Sequence, residues 1–351
     1  MRDINLFGYY EHIDAYNRIY EIAGNMMKEA LSKSGINLMQ VTGRVKTAES
    51  VSGKLQRKPE SYSSVYDMTD IVGFRIICYF SDKVDEIGDI LRNLFVMDEN
   101  NSVDKRSILA PNTFGYLSLH YIFSLPKSAD YDDSLTKYRF EVQIRTVLQH
   151  TWAEIEHDLG YKTEFGVPRQ VRREFSRMAS LLEVADEGFL RIKEELREYT
   201  QSVILKLSSG DVADIAIDSI SLREFIKYND DFVGFTSDIA SISNARLIKV
   251  SAENYIKPLE RIGAVYLSDL LVLLEEQKEH AMLMAESLLK DSEIDEVAST
   301  VGLYFLCRAR LVWGNYSEND IREYFALTNK DTKRIDRNTS RILSLRKRYL
   351  G

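Results

Sequence analysis

Residues 140–146 read FEVQIRT. In an extended chain successive side chains point to opposite sides, so Phe140, Val142 and Ile144 share one face and Glu141, Gln143 and Arg145 the other. The first face requires a core to cover it. The second sets an acid, an amide and a guanidinium in one row, which is either the solvent side of an antiparallel strand or the floor of a pocket. Outward from this stretch, VGFRIICYF (72–80) and LSLHYIFS (117–124) carry the same strand-like character, and the strand at the centre extends back to Tyr138. Helical periodicity at 48–57 and 84–96 interleaves with them. The pattern predicts an α+β unit, a mixed sheet flanked by helices.

Helices bracket this unit. Tyr9, Ile13, Tyr16, Ile19, Tyr20, Ala23, Met26, Met27 and Leu31 recur at the helical period and predict a packing helix over 8–35. After Arg145 a helix is expected at 147–160, with Leu148, Trp152, Ile155 and Leu159 on its core side and His150, Glu154, His157 and Tyr161 along an adjoining stripe. Pro168 suits a first helical turn, where its missing N–H has no partner anyway, and opens a long helix expected to reach residue 205. SSGDVADIAID (208–218) is small and acidic with no helical stripe, and marks the expected boundary between a first domain, 1–207, and a mainly α-helical C-terminal domain, 219–351. The closing run KRIDRNTSRILSLRKRYL (333–350) reads as a solvated helix face, with contact to RNA or another anionic partner as the minority reading.

The chain has 351 residues, 44% of them hydrophobic, enough for two domains with real cores. No stretch approaches the roughly 18–20 apolar residues of a membrane span, and the opening residues are acidic and aromatic rather than basic and then apolar. Cys78 and Cys307 are too far apart in sequence to suggest a ligand pair, and a reducing cytoplasm suits both. The net charge of −8 argues against broad nucleic-acid binding while leaving room for local basic pockets.

Several segments carry chemistry. GRVKTAESVSGK (43–54) places Arg44 and Lys46 on an extended segment, followed by a helix that Thr47 caps and that presents Ser50 and Lys54 one turn apart. Cations, a hydroxyl and a helix N-terminus suit a triphosphate, although in isolation an exposed helix start explains them better. DIVGFR (70–75) sets Asp70 at the mouth of a buried strand and Arg75 inside it, where an unpaired charge is costly. Asp70 is placed to hold Mg²⁺, which takes one or two carboxylates plus substrate phosphates. Before His120, Tyr116 and Ser118 share its face, and Asn112, Phe114 and Gly115 form a turn.

Taken in order, GRVKTAESVSGK, DIVGFR, FGYLSLH (114–120) and EVQIRTVLQHTWAEIEHDLGYK (141–162) resemble the synthetase domain of the RelA/SpoT alarmone synthetases over roughly residues 38–165. The resemblance implies a nucleotidyltransferase-like fold and Mg²⁺-dependent transfer of the β,γ-pyrophosphate of ATP to the 3′-hydroxyl of GTP or GDP. It implies that Arg44 and Arg75 sandwich the adenine and that Lys46, Ser50 and Lys54 bind the ATP phosphates. On the same basis Asp70 holds the metal, while Glu141 activates the acceptor hydroxyl or assists the metal. Tyr116 stacks on the guanine with Lys105, His120, Gln143 and His150 nearby, and Arg145 and His157 support the site. Residues before position 38 are too few for the hydrolase domain of the family's long members. The sequence departs from the pattern at Asn112, where a lysine is common, and at FGYLSLH, where NGYRSLH or NGYQSLH is. These departures motivate a second enzyme reading, pyrophosphorylation of the 3′ end of tRNA restrained by residues 219–351. A third is a nucleotide sensor without catalysis. The partners expected are ATP and GTP or GDP, with tRNA as the alternative acceptor, a second copy of the chain in a homo-oligomer, and no membrane.

Overall fold

The computed structural model describes residues 6–57, 62, 64–104, 118–161, 168–290 and 292–351. It divides into two units, Met1–Lys193 and Glu194–Gly351.

The first unit is built on a six-stranded sheet. Its elements are α1 (Phe7–Ser34), β1 (Leu38–Val45), α2 (Ala48–Arg57), β2 (Val72–Cys78), α3 (Asp82–Leu94), β3 (Val96–Met97), β4 (Val103–Asp104), β5 (Leu119–Ser124), β6 (Arg139–Thr146), α4 (Val147–Tyr161) and the start of α5 (Arg169–Ser209). The strand order is β1-β2-β6-β5-β3, with β4 also on β5; β2 and β6 run parallel and the other pairs antiparallel. The expected strands and helices of this region form, and β6 alternates between buried and half-buried positions as FEVQIRT predicts.

Register decides which residues share a face. Arg44 lies opposite Gly73, Gly73 opposite Glu141, Arg75 opposite Gln143, and Gln143 opposite His120. One face of the sheet is therefore polar across four strands. The other carries Phe74, Phe140, Val142, Ile144, Leu119 and Phe123, all buried in a core with Ile19, Ala23 and Met27 of α1 and Ile87 and Leu91 of α3. Gly43 is required where α1 crosses β1, because a Cβ there would stand 2.5 Å from the Phe74 ring and 2.9 Å from that of Tyr20.

The turn from β6 into α4 is closed by a reciprocal cap: Gln149 N–H donates to Thr146 Oγ1 (3.1 Å) and Thr146 N–H to Gln149 Oε1 (2.9 Å). The Thr146 hydroxyl donates to Asp186 of α5 at 2.6 Å, which ties that helix to the same junction. The expected core side of α4 is covered only in part. Leu148 and Trp152 pack with Ala179 and Leu182 of α5, whereas Ile155 and Leu159 are 50% and 55% exposed. Helical periodicity places all four on one face, but α5 covers only the first half of it.

The second unit is mainly helical as expected, with α6 (Ser219–Tyr228), α7 (Asp230–Ile242), β7 (Arg246–Ile248), α8 (Ile256–Arg261), α9 (Leu267–Leu289), β8 (Glu296–Ala298), α10 (Val301–Trp313), α11 (Glu318–Ala326) and α12 (Thr332–Leu350). The division between units falls inside α5, ahead of the 208–218 segment, because Val203 of α5 already packs into the second core with Val212, Leu222 and Phe225. In the basic α12 most cations face solvent as expected, but Arg346 does not. Its guanidinium donates to the carbonyls of Leu311 (2.6 Å), Val312, Gly314 and Tyr316 (2.7 Å), and so closes the C-terminal end of α10. Among the described residues no helix is long and apolar enough to cross a membrane.

Candidate active site

The polar face of the sheet floors a cavity of about 400 Å³ lined by Thr42, Gly43, Arg44, Lys46, Asp70, Gly73, Phe74, Arg75, Glu141 and Gln143. Six residues singled out in the sequence thus meet at one place, drawn from β1, β2, β6 and the loops that flank them. Each arrives there for a local reason. Lys46 leaves β1 with its N–H bonded to the carbonyl of Ile71 (2.8 Å), which keeps it beside the Asp70 loop. α2 then starts on Thr47, whose hydroxyl accepts from the Ser50 N–H at 3.4 Å.

Two lysines converge on one carboxylate oxygen. Asp70 Oδ2 accepts from Lys46 Nζ and, at 2.6 Å, from Lys54 Nζ. Burial alone would raise the Asp70 pKa, but these two ammonium groups outweigh it and hold the carboxyl below its ordinary range. Burial pulls the Lys46 pKa down, only partly opposed by Asp70. Asp70 Oδ1 is buried with no hydrogen-bond partner. Ser50 is exposed on α2 and does not line the cavity.

A hydrogen-bonded row crosses β6 and β5. Arg145 Nη2 donates to Gln143 Oε1 (2.6 Å), and Gln143 Nε2 donates to Glu141 Oε2 (2.8 Å). Glu141 Oε1 lies 2.9 Å from His120 Nδ1, and His120 Nε2 lies 2.6 Å from Ser118 Oγ. Burial works to raise the Glu141 pKa, yet its bonds to His120 and Gln143 leave it lowered, so the carboxylate is ionised at neutral pH. His120 Nδ1 must then be the donor, and in the neutral imidazole Nε2 accepts from the Ser118 hydroxyl. Asp70 and Glu141 repel each other electrostatically across the cavity they share.

At the rim, Arg75 Nη1 pairs with Glu154 Oε1 of α4 at 2.9 Å. His150 stands 3.8 Å from the same carboxylate oxygen, and burial together with the charge of Arg75 lowers its pKa. His157 is exposed on α4 and does not line the cavity. Lys105 and Tyr116, with Asn112, Phe114 and Gly115, lie outside the described residues.

Sequence reasoning missed Gly73 and undervalued Ser118. Gly73 stands between Arg44 and Glu141 on the polar face, and a Cβ built there meets nothing within 4 Å, so the missing side chain is what leaves the floor open. A glycine within a central strand was the available signal.

Among the described residues no group of three or more His, Cys, Asp or Glu side chains forms a ready-made metal cluster. Two carboxylates sharing a cavity, one with a buried and unpartnered oxygen, nonetheless suit an ion that completes its shell with phosphate and water.

Residues 43–165 match the family described as the region found in RelA / SpoT proteins. The chain is 33% identical over 159 residues to the GTP pyrophosphokinase YjbM of Bacillus subtilis (strain 168), an alignment covering 45% of this chain and 73% of that protein. The chain belongs to the RelA/SpoT family. A second relative of this RelA/SpoT protein, the GTP pyrophosphokinase YwaC of the same organism, is 33% identical over 160 residues, covering 44% of this chain and 72% of its own. The crystal structure of the small alarmone synthetase 1 from Bacillus subtilis aligns at 27% identity and a TM-score of 0.46, covering 54% of this chain and 98% of that one. The matched family region contains the cavity-lining Arg44, Lys46, Asp70, Gly73, Arg75, Glu141 and Gln143.

Proposed function

We propose that this chain is a GTP pyrophosphokinase that moves the β,γ-pyrophosphate of ATP onto the ribose 3′-hydroxyl of GTP or GDP, yielding (p)ppGpp, with Mg²⁺ as cofactor. The observation that carries this reading is the meeting of Arg44, Lys46, Asp70, Arg75 and Glu141 around one cavity, in a chain whose relatives bear that activity in their names.

Arg44 and Arg75 receive the adenine between their guanidinium planes, which stack on a base as an ammonium does not. Lys46 and Lys54, already converging on one anionic oxygen, take the ATP phosphates. Asp70 and Glu141 would hold Mg²⁺, which when bound neutralises charge on the phosphate oxygens. Glu141, ionised and oriented by His120 and Gln143, accepts a hydrogen bond from the incoming 3′-hydroxyl and draws off its proton as that oxygen attacks the β-phosphorus. The oxygen–phosphorus bond forms as the α–β bridge breaks, and AMP leaves with the bridging oxygen.

The test incubates the purified full-length chain and Mg²⁺ with ATP labelled in the β-phosphate and, separately, GDP, GTP or deacylated tRNA. Label is expected on the guanosine nucleotides. Label on tRNA alone would overturn the acceptor assignment, and label on none of them the enzymatic one.

A further inference from the structure

Arg75 is the one cavity-lining cation whose described ion-pair partner comes from α4, and that partner, Glu154, has no place in the chemistry above. We infer that Glu154 is a positioning residue: it holds the Arg75 guanidinium at the cavity rim, and so sets the affinity for the base of ATP. This rests on the assignment of Arg75 to the adenine.

The electrostatics require such a partner. Arg75 stands near a charge of its own sign: burial first, and then the charge of Arg75, depress the pKa of Arg145 on β6, and the same two causes lower that of His150 on α4. Across β1 its register partner is Thr42, which carries no charge. Among the described residues Glu154 is the carboxylate within ion-pair distance, at 2.9 Å from Nη1, and it acts electrostatically on both Arg145 and His150 as well. Without it, repulsion from Arg145 drives the Arg75 side chain out toward water. With it, the guanidinium is held at the rim by a carboxylate oxygen 2.9 Å from Nη1.

The geometry makes Glu154 separable from the fold. It is 54% exposed against 34% for Arg75, and the core contacts of this part of its helix are made by Leu148, Trp152 and Ala153 instead. The pair is partly screened by solvent, so the expected effect is moderate.

Steady-state kinetics of the full chain with ATP and GDP provide the test, comparing Glu154→Gln, Glu154→Asp, Arg75→Ala and the double variant Arg75→Ala/Glu154→Gln. Binding of a nonhydrolysable ATP analogue by calorimetry and thermal melting of each variant run in parallel. Glu154→Gln is expected to raise KM for ATP about fivefold and to weaken the analogue equally, while KM for GDP and kcat change by less than about twofold. Glu154→Asp is expected to recover part of the loss, and Glu154→Gln to add nothing in the Arg75→Ala background. Should Arg75→Ala raise KM for ATP while Glu154→Gln leaves it unchanged, or should the two effects simply add, the positioning role is overturned. If Arg75→Ala itself leaves KM for ATP unchanged, the base assignment of Arg75 fails and the inference with it.

Discussion

The two faces of the six-stranded sheet are made by the same strands, one residue out of step, and they solve opposite problems. On the face toward α1 and α3, the Phe140 ring lies 5.8 Å from that of Phe74 and 6.1 Å from that of Phe123, and the Tyr121 hydroxyl is met by Arg92 of α3 at 2.8 Å. On the other, Arg145, Gln143, Glu141 and His120 are linked in a row, while Arg145 Nε on that face, Asp70 Oδ1 in the loop before β2 and His150 Nδ1 on α4 are buried without a hydrogen-bond partner. Unsatisfied buried polar atoms cost stability, a cost the apolar face avoids. The apolar face holds the sheet together; the polar face is the one we propose to receive the nucleotide.

That contrast predicts separable mutational effects. The largest belongs to the polar face: Glu141→Gln keeps the shape and removes the charge, and is expected to lower kcat by about 10³-fold or more while affinity for a nonhydrolysable ATP analogue and the melting temperature stay near those of the parent. Unchanged turnover would remove Glu141 from the chemistry. The mirror case is Phe140→Ala, one residue away on the apolar face, expected to cost about 3–5 kcal/mol in urea denaturation with KM for ATP unaltered in the folded fraction. If KM rises as steeply as stability falls, the faces are coupled and the contrast breaks. Gly73→Val is the smallest and sharpest case. Its side chain enters the open floor between Arg44 and Glu141 and is expected to raise KM for ATP about tenfold, with little change in melting temperature. A destabilised protein with normal KM would show that the floor is not where the nucleotide lies.

The same division explains what was legible beforehand. Alternation in FEVQIRT and periodicity in 8–35 are local consequences of backbone geometry, so the strand, the helix and the two faces could be read directly. Gly73 could not be weighed, because its worth depends on Arg44 and Glu141 flanking it from strands 29 and 68 residues away in sequence, by register rather than by neighbourhood. Ile155 and Leu159 were misplaced for the converse reason: periodicity says which residues share a face but not how far the covering helix extends.

Residue types and their spacing alone determined the elements, the polar row on β6, the list of cations and carboxylates, and the resemblance that joined them. Only the tertiary structure decided that β6 pairs in parallel with β2, that Lys46 and Lys54 share one oxygen of Asp70, and that His120 and Gln143 converge on Glu141. The reason is that facing and periodicity arise within a few bonds of each residue, whereas a cavity is made by side chains whose closeness depends on every strand between them.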